Sequence, residues 1–250
     1  MGIKHTNFFQ GKTIWIIGAN SDIVRSFLLR IADPSCHFKL FSRNTDDLER
    51  FVKEHGIQAE CLYMDITDYA SVTAVTESSE APDGVIIAAG YSPPMNCEGN
   101  VDLMERTIAT NYSGCVVFLE SIKKKMMERR SGFISVVSSL GGERGKASNS
   151  IYASSKSALT CYCEGLEQEL FPYGIIVSCI KPGWVKTKMT VDLPHVQKSF
   201  LTQSPEQVAE IIHRAIEKRW RGSVYSGLCV WSIGIAIRNI PGFIYRRLKM

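Results

Sequence analysis

Short apolar runs alternate with amphipathic segments over most of this chain. The apolar runs are rich in β-branched residues and predict buried strands at residues 13–18, 38–41, 60–64, 85–89, 133–138 and 175–180. The segments between them carry apolar residues at helical spacing and predict helices over residues 21–32, 45–55, 69–78, about 104–128 and 151–170. Continuous apolar strands separated by helices are typical of a parallel sheet covered on both faces. We therefore expect an α/β protein with a single-domain, doubly wound parallel sheet.

Composition and charge narrow the function classes. The chain has 250 residues, of which 45% are hydrophobic and 22% charged, and this excludes a disordered or collagen-like protein. A net charge of +4 is too small to indicate a nucleic-acid partner. The 8 cysteines form no C-x-x-C pair and no cluster with histidine, so we expect free thiols, no metal site and a reducing, cytoplasmic location. The N-terminal residues show no secretory signal.

The first strand leads into a glycine turn, Gly18-Ala19-Asn20-Ser21-Asp22-Ile23-Val24. A turn between strand and helix at this place in a doubly wound sheet cradles a dinucleotide pyrophosphate with backbone N–H groups and the helix dipole. Asp22 and Val24 stand where a G-x-x-x-G-x-G pattern has its later glycines, and a carboxylate repels phosphate unless it is turned away. A plain strand-to-helix connection therefore remains an alternative.

A group of polar residues further along the chain indicates proton-transfer chemistry. Tyr152 and Lys156 are four residues apart on one helical face, and a neighbouring ammonium favours the phenolate form of a tyrosine. Ser139 lies at the end of the fifth strand, where its hydroxyl could hold a substrate oxygen. Asn111 lies in an otherwise helical stretch, from which its amide could order a water.

With these residues the sequence resembles the short-chain dehydrogenase/reductase family. The resemblance covers roughly residues 11–190, because Asn111, Ser139, Tyr152 and Lys156 occur in the family's order and a P-G-x-V-x-T segment follows at Pro182. It implies a Rossmann fold and a hydride transfer between a nicotinamide cofactor and a ketone or secondary alcohol. Tyr152 would be the general acid or base, Lys156 would favour its phenolate and hold the nicotinamide ribose, Ser139 would polarise the carbonyl, and Asn111 would support a water relay.

The resemblance also implies a set of cofactor contacts at the ends of the strands. They are Gly18, Asn20, Ser21, Asp22, Ile23, Ser42, Arg43, Asp65, Ile66, Ala89, Gly90, Tyr152, Lys156, Pro182, Gly183, Val185 and Thr187. Ile87-Ala88-Ala89-Gly90 stands where the family commonly has N-N-A-G, so two polar contacts are lost there. This departure, together with Asp22 and Val24, keeps a second function open, a non-catalytic dinucleotide-binding regulator or redox sensor.

The residues after the second strand bear on the choice of cofactor. An acidic residue there would bind the ribose 2′-hydroxyl of NAD, and the chain has Ser42-Arg43-Asn44 instead. Arg43 with Ser42 could bind a 2′-phosphate, so we expect NADP(H), with NAD(H) as the alternative. The segment from Trp184 to Gln203 is expected to be a basic and apolar lid over the pocket.

The C-terminal region is unusually apolar. We expect a dehydrogenase domain at residues 1–222 and a hydrophobic helical extension at residues 223–250, packed on the same domain and possessing basic residues at Arg238, Arg246, Arg247 and Lys249. Two uses of the extension stay open, a contact within the core or between subunits and a shallow anchor on anionic lipid at the inner face of a membrane. The tail and the G-x-x-S-[DE]-I form of the turn resemble one subgroup, the keto-reductase subunit of decaprenylphosphoryl-ribose 2′-epimerase and its bacterial relatives, which implies a keto-sugar or lipid-linked sugar as substrate.

The family resemblance implies a homodimer or homotetramer in which the helices with Asn111 and Tyr152 pair. An apolar stripe on the second of these helices could contribute to that contact or could cover the sheet within one subunit. It consists of Leu159, Tyr162, Cys163, Leu166 and Leu170.

Overall fold

The computed structural model describes residues 7–31, 34–94, 99–199 and 201–248, and Lys249 therefore lies outside the described residues. It contains one seven-stranded sheet in the order β3-β2-β1-β4-β5-β6-β7, in which every neighbouring pair is parallel. The strands are β1 Thr13–Ile17, β2 His37–Ser42, β3 Ala59–Tyr63, β4 Gly84–Ile87, β5 Phe133–Val137, β6 Ile176–Lys181 and β7 Gly222–Tyr225. The predicted doubly wound α/β fold is confirmed.

One or two helices connect each strand to the next, and two more helices follow β7. They are α1 Asp22–Arg30, α2 Thr45–Glu54, α3 Tyr69–Ser78, α4 Val101–Ile108, α5 Gly114–Arg129, α6 Ser150–Leu170, α7 Pro194–Lys198, α8 Pro205–Glu217, α9 Leu228–Asn239 and α10 Gly242–Tyr245. One hydrophobic core joins α1, α2 and α8 to one face of the sheet, and a second joins α3, α5 and α6 to the other. The strands are therefore apolar on both sides, as their sequences predict.

The helix predicted over residues 104–128 is interrupted. A π-helical turn, Ala109–Ser113, separates α4 from α5 and contains Asn111. Gly114, the residue after this turn, is closely packed, because a Cβ there would lie 2.2 Å from the carbonyl oxygen of Ile66. Single-turn π segments inside helices occur frequently at functional sites.

The apolar stripe of α6 faces the sheet of its own subunit. Leu159, Cys163, Leu166 and Leu170 are at most 2% exposed and belong to the second core. Tyr162 is half-buried and its hydroxyl donates to Glu120 of α5 at 2.7 Å. Of the two interpretations of this stripe, the structure supports cover for the sheet.

The C-terminal residues add the last strand and two helices. β7 crosses the expected boundary at residue 222 and pairs with β6, after which α9 and α10 follow. Within the described part of the chain, no helix is both long enough and apolar enough to cross a membrane.

Candidate active site

The turn after β1 requires a glycine. Gly18 has a φ of +80°, and a Cβ there would lie 2.5 Å from the backbone nitrogen of Ala89. The N–H groups of Gly18 and Ala19 donate to the carbonyl of Phe41 at 3.0 and 3.1 Å, which ties the turn to the end of β2. Any side chain at position 18 would push the ends of β1 and β4 apart.

Asp22 makes its contact across the site. Its Oδ2 accepts a hydrogen bond from the backbone N–H of Lys188 at 2.7 Å, and the Lys188 ammonium lies 3.8 Å from Oδ1. The carboxylate in the glycine's place thus joins the start of α1 to the lid. Ile23 and Val24, which follow it, are buried in the core.

Asn20 connects the glycine turn with the end of β2. Its amide donates to the Ser42 hydroxyl at 2.7 Å and to the Asn44 carbonyl at 2.6 Å. The Ser42 oxygen also accepts from the Asn44 N–H at 3.2 Å, so both of its lone pairs are used and its O–H remains available as a donor. Ser21, the residue before α1, makes no side-chain cap to the helix. Arg43 is exposed beside Ser42.

Asp65 follows β3 and is held as a carboxylate. Burial pulls its pKa upward, but hydrogen bonds from the N–H and hydroxyl of Thr67, with the nearby charges of Arg43 and Arg106, bring the pKa below its usual range. Ile66 beside it is buried and touches the first turn of α5 at Gly114.

The ammonium of Lys156 is enclosed at the centre of the site. The residue is 4% exposed, and its Nζ donates to the Val137 carbonyl at 3.0 Å. A Cβ at Gly90 would lie 3.6 Å from this Nζ and 3.7 Å from Oδ1 of Asn111, so the three residues meet at the end of β4. Ala89, one residue before, forms the wall against Gly18.

The amide of Asn111 is almost fully committed to protein partners. Its oxygen accepts from the Tyr91 N–H at 2.7 Å, and its nitrogen donates to the Tyr91 carbonyl at 2.8 Å and to the Ser155 hydroxyl at 3.0 Å. One lone pair of the amide oxygen is left, so this side chain can bind a water only as an acceptor. Asn111 therefore fixes the loop after β4 against α6.

The Ser139 hydroxyl and the Tyr152 ring both lie close to Gly141. A Cβ at Gly141 would lie 3.2 Å from the Ser139 Oγ and 3.5 Å from Cε1 of the Tyr152 ring. The Ser139 oxygen accepts from the Gly141 N–H at 3.0 Å, which leaves its O–H free to donate. Among the described residues, the Tyr152 hydroxyl is paired with no protein group.

The segment after β6 forms a further wall of the candidate site. Pro182 accepts from the Leu140 N–H at 2.8 Å, and Val185 pairs with Gln203 in an isolated bridge. The Thr190 hydroxyl accepts from the Thr187 N–H at 3.1 Å and donates to the Val185 carbonyl at 2.6 Å. A cavity of about 330 Å³ opens here, lined by Asp22, Lys186, Thr187, Lys188, Val191 and Gln197.

These positions fit a dinucleotide. Gly18 allows the tight turn after β1, the Asp22 carboxylate has a partner in the lid, and an enclosed ammonium and two available hydroxyl donors lie along one edge of the sheet. Three further residues near the site are not predicted from the sequence: Ser155 and the ion pair of Glu143 with Lys181, whose side chains are 3% and 2% exposed. Their spacing carries no signal, because the contacts form only when distant segments meet.

Comparison with known proteins agrees with this geometry. The sequence profile described as short chain dehydrogenase matches residues 12–198. A fatty acyl-CoA reductase of Acinetobacter baylyi is 30% identical over 220 residues, which is 84% of this chain and 74% of the relative. A 3-ketodihydrosphingosine reductase of Bos taurus is 27% identical over 238 residues, covering 86% of this chain and 72% of the relative.

Solved structures share the fold. A short chain dehydrogenase from Burkholderia cenocepacia in complex with NADP superposes with a TM-score of 0.82 at 18% identity, over 97% of this chain and 99% of that one. A 3-oxoacyl-[acyl-carrier protein] reductase with bound NAD from Brucella melitensis gives a TM-score of 0.75 at 24% identity, over 91% and 97%.

Proposed function

Because this chain belongs to the short-chain dehydrogenase/reductase family and is an NAD(P)-dependent oxidoreductase, we propose that Asn111, Ser139, Tyr152 and Lys156 catalyse its reaction. The reaction is a hydride transfer that interconverts a ketone and a secondary alcohol. One observation supports it above the others: the enclosed Lys156 ammonium lies one helical turn from Tyr152, whose ring lies beside Gly141 together with the Ser139 hydroxyl. Enzymatic relatives favour this reading over a non-catalytic regulator.

Each of the four proposed catalytic residues has its own role. Ser139 donates its free O–H to the carbonyl oxygen of the substrate, and Tyr152 delivers a proton to the same oxygen during reduction. Lys156 supplies positive charge that favours the phenolate left on Tyr152, and Asn111 holds the loop after β4 in place. The dinucleotide, when bound, supplies or accepts the hydride. In the reverse direction Tyr152 acts as the base.

The remaining cofactor contacts follow the sheet edge. Gly18, Asn20, Ser21, Asp22 and Ile23 would form the pyrophosphate turn, with the Asp22 carboxylate hydrogen-bonded to the backbone N–H of Lys188. The adenosine end would meet Ser42, Arg43, Asp65 and Ile66, and the nicotinamide end Ala89, Gly90, Pro182, Gly183, Val185 and Thr187. We propose NADP(H) as the preferred form, since Arg43 is exposed and Ser42 retains a donor where NAD-selective sites have a carboxylate.

The substrate proposed is a ketone with a lipid character, such as a lipid-linked keto-sugar. Two relatives are named for lipid substrates, a fatty acyl-CoA and 3-ketodihydrosphingosine. The lid exposes Trp184, Met189, Val191 and Leu201, an apolar rim at the mouth of the pocket.

We propose two kinds of partner, a membrane surface and further copies of this chain. We infer that residues 223–250 extend the 1–222 domain and place it on an anionic membrane surface, since α9 and α10 expose apolar and basic side chains together. We also infer a homodimer or homotetramer.

The reaction is tested with NADPH, NADH and a panel of ketones that includes keto-sugars and prenyl-phosphate sugars. Tyr152→Phe is expected to abolish turnover, because the proton donor is gone, while cofactor affinity stays within a few-fold. Tyr162→Phe on the same helix is the matched control, because its hydroxyl contacts only Glu120 at the surface. A Tyr152→Phe enzyme with wild-type turnover would refute the assignment.

A further inference from the structure

A buried ion pair lies just after the Ser139 turn. The Glu143 carboxylate accepts from the Lys181 ammonium at 2.8 Å and from the Tyr225 hydroxyl at 2.9 Å. Arg238 of α9 lies 4.0 Å from its second oxygen. Since Lys181 ends β6 and Tyr225 ends β7, one carboxylate joins two strands and the C-terminal helix.

The next two residues also contact the C-terminal helices. The Arg144 guanidinium donates to the Ile237 carbonyl at 3.2 Å and to the Ile240 carbonyl, and it stacks 3.8 Å from the centre of the Tyr245 ring. The Tyr245 hydroxyl donates to the carbonyl of Gly145. The last carbonyls of a helix lack partners within it and favour a cation, so Arg144 stabilises the end of α9 in its docked position.

Residues 140–143 connect the Ser139 turn to the end of β6 and to α9. The Glu143 N–H donates to the Leu140 carbonyl at 3.1 Å, and the Leu140 N–H donates to Pro182. A Cβ at Gly234 of α9 would lie 3.0 Å from Cδ1 of Leu140 and 2.6 Å from Cε1 of Tyr225. The helix therefore packs directly on the residue that follows Ser139, with room for no more than a hydrogen atom.

We propose that Glu143 and Arg144 are positioning residues that make α9 and α10 a wall of the active site. They transmit the docked position of these helices to the Ser139 hydroxyl through the short segment 139–145. This inference rests on the proposed role of Ser139 in catalysis. It follows that undocking α9 misplaces Ser139, whereas the adenosine end of the proposed cofactor site, at the ends of β1, β2 and β3, lies away from this helix.

The test uses hydrogen exchange measured by mass spectrometry on the full chain without ligand. Arg144→Ala removes the contacts to α9 and α10 but leaves no buried charge, and Gly234→Ala pushes α9 away from Leu140. We expect exchange about tenfold faster in two segments, 139–145 and 226–248, because a charge-assisted contact of this kind contributes about 1–2 kcal/mol. Gly165→Ala is the matched control, a helical glycine whose Cβ would meet nothing within 4 Å.

Arg144→Lys separates positioning from general stability. A lysine can still donate to the helix carbonyls, so it should restore most of the protection in both segments. With a substrate from the ketone panel, Arg144→Ala should lower kcat about tenfold or more and change the KM for NADPH much less, because the adenosine end of the cofactor site does not contact α9.

Two results would overturn the inference. One is faster exchange in residues 226–248 alone, with segment 139–145 still protected. The other is faster exchange throughout the sheet in Arg144→Ala, which would indicate a general loss of stability. Absence of wild-type turnover on every ketone would count against the proposed function, and the exchange data would still decide this inference.

Discussion

Arg43 is the residue on which the choice of cofactor depends. It is exposed beside the remaining donor of Ser42, and its charge helps to keep Asp65 ionised. Arg43→Asp should weaken NADPH binding by about 1–3 kcal/mol, since it removes a charge-assisted contact and adds a charge that repels the 2′-phosphate. NADH binding should change little.

Fluorescence titration with both dinucleotides measures this difference. Arg50→Asp is the control, because it makes the same change of charge on the exposed face of α2. Equal losses of affinity for NADPH and NADH, or a wild-type protein that prefers NADH, would contradict the assignment.

Residue spacing carries the information for some contacts and not for others. Tyr152 and Lys156 share one helix, so their separation predicts that they are neighbours before any fold is known. Asp22 and Lys188 are 166 residues apart, and only the folded lid shows that this carboxylate accepts a hydrogen bond from the Lys188 N–H. The sequence shows that a carboxylate replaces a glycine at position 22, and the tertiary contact shows which group that carboxylate binds.

Elements with a strong hydrophobic period are predicted well, and those fixed by tertiary packing are not. The six predicted strands all form, whereas the π turn at Asn111 has no local signal in the sequence. Helix α8 was not predicted, although Ser204 and Gln207 form a capping box and Pro205 begins the helix. That signal was present in the sequence.

The ends of β6 and β7 depend on the buried pair Glu143–Lys181. Glu143→Gln leaves the Lys181 ammonium enclosed without a counter-charge and should lower the free energy of unfolding by about 3–5 kcal/mol. The double variant Glu143→Gln/Lys181→Met should recover part of this loss, because no isolated charge remains buried.

Urea unfolding followed by circular dichroism measures these free energies. Glu120→Gln is the control, since the Glu120–Lys123 pair is solvent-exposed on one side and should contribute less than about 1 kcal/mol. A Glu143→Gln protein as stable as the wild type would show that the carboxylate does not hold the strand ends together.

At the scale of the whole molecule, the outer face of α6 is free of large apolar side chains. The apolar stripe of α6 packs against the sheet. The exposed positions of the helix, such as Ser154, Ser157 and Glu164, carry small or polar side chains. We expect light scattering at micromolar concentration to give a dimer or a tetramer. A monomer would exclude pairing of the helices that bear Asn111 and Tyr152.

A group of exposed apolar side chains lies on the C-terminal helices α9 and α10. Leu228 is 82% exposed, Trp231 49% and Phe243 60%, and the exposed guanidinium groups of Arg246 and Arg247 follow them. Helix α9 has 12 residues and reaches only ~18 Å, so it can lie in a membrane surface but cannot span the ~30 Å core. Apolar contact and attraction to anionic headgroups would then act together.

Flotation with vesicles of phosphatidylglycerol and phosphatidylcholine tests this surface on the full chain. We expect the wild type to bind anionic vesicles and to dissociate at high salt, and Leu228→Ser/Trp231→Ser and Arg246→Glu/Arg247→Glu each to lose binding. Tyr63→Ser, at the far edge strand β3, is the control for an exposed aromatic residue. If the wild type never floats and Leu228→Ser/Trp231→Ser instead dissociates an oligomer, the same side chains form a subunit interface and the membrane proposal is wrong.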